Sequence, residues 1–294
     1  MRNYMLPINQ KTEEAGSIFG AILNRINITN KTGWNLLICL EAIIVVIVSV
    51  FICQTLNIPE TGLMSLAFVS AAVVPRVNQI LQINRERIWS EPGSGWSANR
   101  ESLISGVSIF VGMFVGFLLV AIITDTSELL ENFKFVLGSY EGEGKIEFTP
   151  ERFDKGISFV QNNFMVLCLF FLIGFFYRAL GATLALGWNA GVWAVTIVLA
   201  TKYGMQDSAE PLYYSLIIAL ALTPHIILEA LSYLTASLSA IFLSRGIILY
   251  QANDIRLRRV LAAVIVLFVV AVLFVIIAAI VEGNFAPYIL EFNQ

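Results

Sequence analysis

The chain of 294 residues is 57% hydrophobic and only 13% charged, with a formal net charge of −3. Soluble proteins are typically about 45–50% apolar and about 25% charged, so this composition excludes a water-soluble globule and indicates a lipid bilayer as the solvent. The negative net charge also argues against nucleic acid as a partner. The three cysteines, Cys39, Cys53 and Cys168, lie singly in apolar runs and indicate neither a disulfide framework nor a zinc site.

Long apolar runs predict an all-α, polytopic transmembrane helix bundle of about seven crossings. A crossing needs about 20 apolar residues, because the hydrocarbon core is about 30 Å thick. Runs of this length cover residues 35–56, 103–124 and 259–281. Residues 159–200 are about long enough for two crossings, and Tyr177-Arg178 divides them near the middle. We therefore expect two helices there, joined by a very tight turn.

Two further apolar segments are irregular. Residues 62–75 are short for a crossing, so either the helix extends through Val77 and Ile80 or the segment is re-entrant or interfacial. Residues 212–243 contain Thr223-Pro224, and proline both removes a backbone donor and disfavours helix in the residue before it. We therefore expect one broken or re-entrant helix near Pro224, with a half-helix before the break and a full helix after it.

Charged residues in the predicted loops orient the bundle. Basic residues gather in the N-terminal tail (1–34), in loop 77–102 with the adjacent Arg76, and just before the last crossing. The positive-inside rule places these segments in the cytoplasm. Loop 125–158 carries eight acidic and four basic residues, which suits the outside. The prediction is a single transmembrane domain over residues 35–294 of the cell membrane, with a cytoplasmic N-terminus and an extracytoplasmic loop 125–158.

Polar side chains at the predicted membrane depth are functional-site candidates, because an ionisable group there costs at least about 2.5–3.5 kcal/mol. His225 and Glu229 are four residues apart and share one helix face. One interpretation is a polar staple that bonds a neighbouring helix and closes the break. The other is a proton-linked or substrate-binding pair in a cavity. We expect the asparagines of this intramembrane polar site to bond across helices. The candidate site comprises Glu41, Asn162, Asn163, Asn189, His225, Glu229 and Glu282.

Motifs of catalytic and metal chemistry are absent from the sequence. His225 is the single histidine, so the H-E-x-x-H zinc motif cannot form. The nucleophile elbow of hydrolases and the glycine-rich phosphate loop are also missing. We therefore predict no catalytic residue, no metal and no cofactor, and we expect that the protein is not an enzyme.

Small residues in the predicted helices indicate close packing. Gly112-x-x-x-Gly116 and Gly187-x-x-x-Gly191 are close-approach patterns. They predict helix–helix contact either within the chain or in a homodimer. A second pattern follows Glu229, where small residues recur on one helix face. This stripe comprises Ser232, Ala236, Ala240 and Ser244, and another helix can pack closely against it.

The second half of the chain carries a connected set of motifs. Asn162-Asn163 is followed by Gly174 and Gly181, and then by Trp188-Asn189-Ala190-Gly191. The segment from Pro224-His225 to Glu229 then leads into the small-residue helix, and Glu282 ends the last apolar run. Over residues 159–288 this combination resembles the stage II sporulation protein M family, and residues 35–124 resemble its archaeal-type members more loosely.

The resemblance implies an integral membrane component without catalysis of its own. The namesake of the family belongs to a membrane machine that remodels peptidoglycan, where it anchors or localises soluble hydrolases. We therefore expect a membrane scaffold or assembly component that recruits or anchors envelope or transport partners, with the acidic loop 125–158 as a docking element. The alternative is a transporter or permease subunit with a polar cavity at His225 and Glu229. An intramembrane hydrolase is a third hypothesis, and it lacks a catalytic constellation.

Overall fold

The computed structural model describes residues 31–90, 95–134, 157–207 and 210–291, and every regular element in these ranges is helical. The apolar runs form long helices because a backbone in lipid must satisfy its own hydrogen bonds. The helices in the described ranges are α1 Lys31–Thr55, α2 Thr61–Ser90, α3 Gly95–Ile123, α4 Thr126–Asn132, α5 Ile157–Tyr177, α6 Ala179–Asp207, α7 Pro211–Leu249 and α8 Ile255–Glu291.

Seven of these helices are long and apolar enough to cross a membrane, and α4, with seven residues, is the exception. The predicted all-α bundle of about seven crossings is therefore confirmed. Large apolar side chains cover its outside, among them Ile123, Phe176 and Ile265. A surface of this kind matches acyl chains rather than water, so the lipid bilayer is the environment that the fold requires.

The predicted loop boundaries need correction at three places. The loop predicted over 77–102 is wrong over most of its length, because α2 continues to Ser90 and α3 begins at Gly95. Polar residues of high helix propensity extend α2 beyond its apolar part, and the Gln82 side chain donates to Glu86 one turn later, at 2.9 Å. Helix α1 begins at Lys31, inside the predicted tail 1–34. Loop 125–158 starts with α4, and residues 135–156 lie outside the described ranges.

The predicted break at Thr223-Pro224 is also wrong. Helix α7 runs without interruption from Pro211 to Leu249, with Pro224 in its interior. Proline removes only one backbone donor, and in membrane helices side chains and neighbouring helices compensate for that loss. The Thr223 hydroxyl donates to the carbonyl of Ala219 at 2.6 Å, next to the carbonyl of Leu220 that loses its backbone donor at Pro224. Helix α2 likewise continues through Pro75.

The tight turn predicted at Tyr177-Arg178 is confirmed. Helix α5 ends at Tyr177, α6 begins at Ala179, and Arg178 between them has a left-handed φ of 54°. Gly181 permits the approach of the two helices, since a Cβ atom there would lie 2.3 Å from the carbonyl oxygen of Ile173. The two segments that the sequence joined in one apolar run therefore form an antiparallel helix hairpin.

Helix α7 lies at the centre of the bundle and contacts α3, α5, α6 and α8. Its small-residue stripe lies against neighbouring helices. Serine hydroxyls on α7 donate to backbone carbonyls of α8, from Ser232 to Ala271 at 2.8 Å and from Ser239 to Val264 at 3.0 Å. Such bonds fasten helices where no water competes for the same groups. These two hydrogen bonds hold α7 and α8 in contact.

Both predicted glycine patterns are used for contacts within the chain. Gly112 and Gly116 of α3 face α1, where added Cβ atoms would lie 2.3 Å from the Cys39 oxygen and 2.8 Å from the Val46 Cβ. Gly187 and Gly191 of α6 face Ser70 and Leu66 of α2. Gly174 of α5 lies against Ala240 of α7. Because these contacts lie within one chain, the glycine patterns give no support for a homodimer.

Alanine at position 112 is expected to destabilise the bundle by about 1–3 kcal/mol, because the added methyl group meets backbone that cannot yield. Gly187→Ala is the matched control, since its nearest neighbour is the Ser70 hydroxyl at 3.2 Å. We expect that variant to stay within about 1 kcal/mol of the wild type. Denaturant unfolding in detergent micelles measures both values, and equal losses would contradict the α1–α3 contact.

Candidate functional site

Glu229 is the centre of the candidate polar site. It lies on α7 and is 4% exposed. The side-chain amide of Asn163 on α5 donates to Oε1 at 2.6 Å, and the indole Nε1 of Trp193 on α6 donates to Oε2 at 3.3 Å. Both carboxyl oxygens are thus engaged by donors from other helices, so neither is left without a partner in the bundle interior. Three helices are tied together at this one side chain.

His225 lies one turn before Glu229 and is fully buried. Its ring packs edge-on against Trp193, with the ring centroids 4.9 Å apart and an angle of 71° between the planes. Neither ring nitrogen has a hydrogen-bond partner among the described residues. Glu229 therefore makes the contacts that the polar-staple interpretation predicts, whereas His225 makes only an aromatic contact.

Glu282 and Tyr233 complete the polar cluster. Glu282 belongs to α8 and is buried, and its carboxyl group interacts electrostatically with that of Glu229. Tyr233 lies one turn after Glu229 on α7 and interacts with both carboxyl groups. Chemically, the cluster can hold neighbouring helices together through its hydrogen-bond donors and acceptors.

The other predicted asparagines lie outside this cluster. Asn162 is exposed on α5, and its side-chain amide donates to Oδ1 of Asn163 in the same helix at 3.5 Å. Asn189 is buried, but it donates to the carbonyl of Ala185 in its own helix at 2.8 Å. The expectation that all three asparagines bond across helices is therefore correct for Asn163 alone. A side-chain amide of a helix can bond its own preceding turn, and sequence cannot tell which partner it will choose.

Glu41 forms a separate buried site with Arg76. The Nε of Arg76 donates to Oε2 of Glu41 at 2.6 Å, and both side chains are more than 90% buried. The guanidinium also donates to Gln79 at 2.5 Å and lies over the ring of Trp34, 5.0 Å from its centroid. The prediction that Arg76 belongs to the basic loop is wrong, because the extension of α2 carries it into the bundle.

Trp193 and Tyr233 are members of the polar cluster that the sequence did not indicate. A buried tryptophan or tyrosine needs a partner for its polar atom, and this is the signal that could have pointed to Trp193. Among the residues that the structure describes, no group of three or more histidine, cysteine, aspartate or glutamate side chains is placed to hold a metal ion.

Comparison with known proteins assigns the chain to a family. No curated protein and no solved structure matches the chain. The sequence pattern that defines the family "Stage II sporulation protein M" matches residues 105–287. The match covers more than half of the chain and includes the helices that carry Asn163, Trp193, His225, Glu229 and Glu282. The chain therefore belongs to the stage II sporulation protein M family, and it is a multi-pass membrane protein.

Proposed function

We propose that this protein is a non-catalytic membrane scaffold or assembly component that anchors envelope or transport partners. One observation carries the proposal: donors from α5 and α6 engage both carboxylate oxygens of Glu229 inside the bundle. A buried carboxyl group in the membrane interior is thus used to hold helices together. Serine bonds from α7 to α8 add to the same effect. A rigid bundle is what an anchor for other proteins requires.

The start of the acidic loop 125–158 offers a surface for partners. Leu129 of α4 is buried, and Phe133 packs edge-on against Phe117 of α3 with the ring centroids 6.3 Å apart. Glu128 accepts a hydrogen bond from Gln54 of α1 at 3.1 Å. These contacts fix α4 against the bundle, and Glu131 remains exposed on its outer side. We propose this end of the molecule as the extracytoplasmic docking face. The N-terminus and the basic segments then lie in the cytoplasm.

Photo-crosslinking in native membranes tests the scaffold. A photoreactive residue at position 131 is expected to give discrete protein adducts, because that position faces the proposed partner side. The same residue at position 265 of α8 is the control, since Ile265 is exposed in the apolar belt and should give lipid adducts. Glu131→Lys should remove a partner that recognises negative charge when the crosslinker is placed at the neighbouring position 127. Equal adduct patterns at 131 and 265 would contradict the proposal.

A transporter or permease subunit is the second candidate, and one observation favours it. The buried ring nitrogens of His225 have no partner in the described residues, and His225 lies one helical turn before Glu229, whose carboxyl group interacts with that of Glu282. The candidates differ in the result expected for Glu229→Gln, which keeps the size of the side chain but removes its charge. Both candidates retain their adducts at position 131 in this variant, so the difference lies in proton flux across proteoliposome membranes. A proton-coupled transporter shows flux in the wild type and loses it in Glu229→Gln, whereas a scaffold shows no flux in either protein.

A further inference from the structure

Three arginines converge at one end of the bundle. Arg85 lies near the end of α2, Arg178 forms the turn between α5 and α6, and Arg245 lies near the end of α7. Arg245 is partly buried and experiences the positive charges of both Arg85 and Arg178. Three separate elements thus bring like charges together at a single place. Such an arrangement is unfavourable unless an anion compensates it.

The described residues supply no acidic partner for these three side chains. The Nε of Arg178 donates to the Ser244 hydroxyl at 3.3 Å, and a guanidinium nitrogen of Arg245 donates to the Asn78 side-chain oxygen at 3.0 Å. Both contacts are neutral and leave most of the donors of each guanidinium available. The nearby Glu86 accepts instead from Gln82.

Two other arginines at this end of the bundle have acidic partners. Arg87 pairs with Glu101, and Arg256 pairs with Asp254 at 2.7 Å. Hydrogen bonds from Arg256 hold the pKa of the Asp254 carboxyl below its usual range. The remaining described arginines at this end, Arg100, Arg258 and Arg259, are exposed, so water and salt screen their charges. Arg245 differs from them because it is partly buried beside two like charges.

The backbone of Arg178 gives an independent indication. Its φ of 54° lies in the left-handed region, which glycine adopts without strain and which costs free energy for a residue with a Cβ atom. Retaining arginine at a turn that favours glycine costs stability, and strain of this kind points to a use of the side chain. The use that the geometry offers is to hold a guanidinium beside Arg245.

We infer that Arg85, Arg178 and Arg245 bind the phosphate of an anionic phospholipid headgroup. The guanidinium group presents paired donors that match phosphate oxygens, and basic pockets between membrane helices bind such headgroups. Lipid is favoured over a soluble anion because Phe176, Tyr177 and Ile248 beside the cluster are each more than 60% exposed, and they offer a surface for acyl chains. The positive-inside rule assigns this end to the cytoplasmic leaflet.

Native mass spectrometry of the full chain in detergent tests the site. We expect the wild type to bind dioleoyl phosphatidylglycerol more tightly than dioleoyl phosphatidylcholine. Arg178→Gly should raise the Kd for phosphatidylglycerol about tenfold, the effect of losing a charge-assisted hydrogen bond. Its melting temperature should be unchanged or higher, since glycine relieves the strained φ. If that variant does not fold, Arg178→Asn replaces it, because asparagine tolerates the left-handed conformation.

Arg258→Gln is the matched control, since Arg258 is an exposed arginine at the same end but outside the cluster. Its Kd for phosphatidylglycerol should remain within about twofold of the wild-type value. Wild-type affinity in Arg178→Gly, or equal binding of phosphatidylcholine, would overturn the proposal. Complete competition by millimolar inorganic phosphate would overturn the lipid assignment in favour of a soluble anion. Weak competition, together with a loss confined to the cluster variants, would support it.

Discussion

Replacing Glu41 with alanine is expected to lower the free energy of unfolding by about 3–5 kcal/mol. The substitution leaves the guanidinium of Arg76 buried between α1 and α2 without its carboxylate, whose Oε2 lies 2.6 Å from Nε. An unpaired charge in an apolar interior keeps its desolvation cost and loses the attraction that offset it. The remaining contacts of Arg76 with Gln79 and the ring of Trp34 compensate only part of that loss.

A double variant separates the charge effect from packing. Glu41→Leu combined with Arg76→Met removes both charges and keeps apolar volume, so it should be more stable than either single variant. Glu101→Gln is the control, since its ion pair with Arg87 is partly exposed and should contribute about 1 kcal/mol or less. Unfolding curves in one detergent give the free energies of the two single variants, the double variant and the control relative to the wild type. Additive losses in the double variant would show that the two side chains do not interact.

Much of the fold follows from the length of the apolar runs. The hydrocarbon thickness sets a minimum helix length, and this condition predicted most of the crossings. The polar pair Tyr177-Arg178 within a run of double length then predicted the hairpin at Arg178. The helix ends were harder to place, because polar residues of high helix propensity carried α2 on to Ser90. The prediction of a helix break at Pro224 was wrong for a related reason. The expectation that proline ends a helix considers only the one missing backbone donor, and it leaves out the neighbouring helices that stabilise α7 on both sides.

The candidate site could be predicted only in part. Spacing placed His225 and Glu229 on one face of a helix, and both are buried there. Their partners depend on which helices become neighbours, and a single sequence does not specify that. Trp193 was therefore not foreseen, although its indole bonds Glu229. Arg76 was assigned to a loop because positive charge near a span end usually lies in water, whereas here Glu41 on the adjacent helix stabilises it inside the bundle.

Asn163→Leu is expected to lower the free energy of unfolding by about 1–3 kcal/mol. The Asn163 amide donates to Oε1 of Glu229 at 2.6 Å, and its removal leaves a buried oxygen without that donor. Its removal leaves the carboxylate with the longer bond from Trp193 at 3.3 Å as its described donor contact. The loss falls on the contact between α5 and α7, so unfolding should begin with the separation of these helices.

The neighbouring Asn162 provides the control for this prediction. It has the same side chain on the same helix, but it is exposed toward the apolar belt, so Asn162→Leu should change stability by less than about 1 kcal/mol. The combination of Asn163→Leu with Glu229→Gln should cost less than the sum of the two single losses, because both substitutions act on the same hydrogen bond. The unfolding free energies of the wild type, the two single variants and the double variant form a double-mutant cycle, and Asn162→Leu is its control. Equal effects of the two asparagine substitutions would show that the bond to Glu229 does not stabilise the bundle, and the structural support for a rigid scaffold would then be lost.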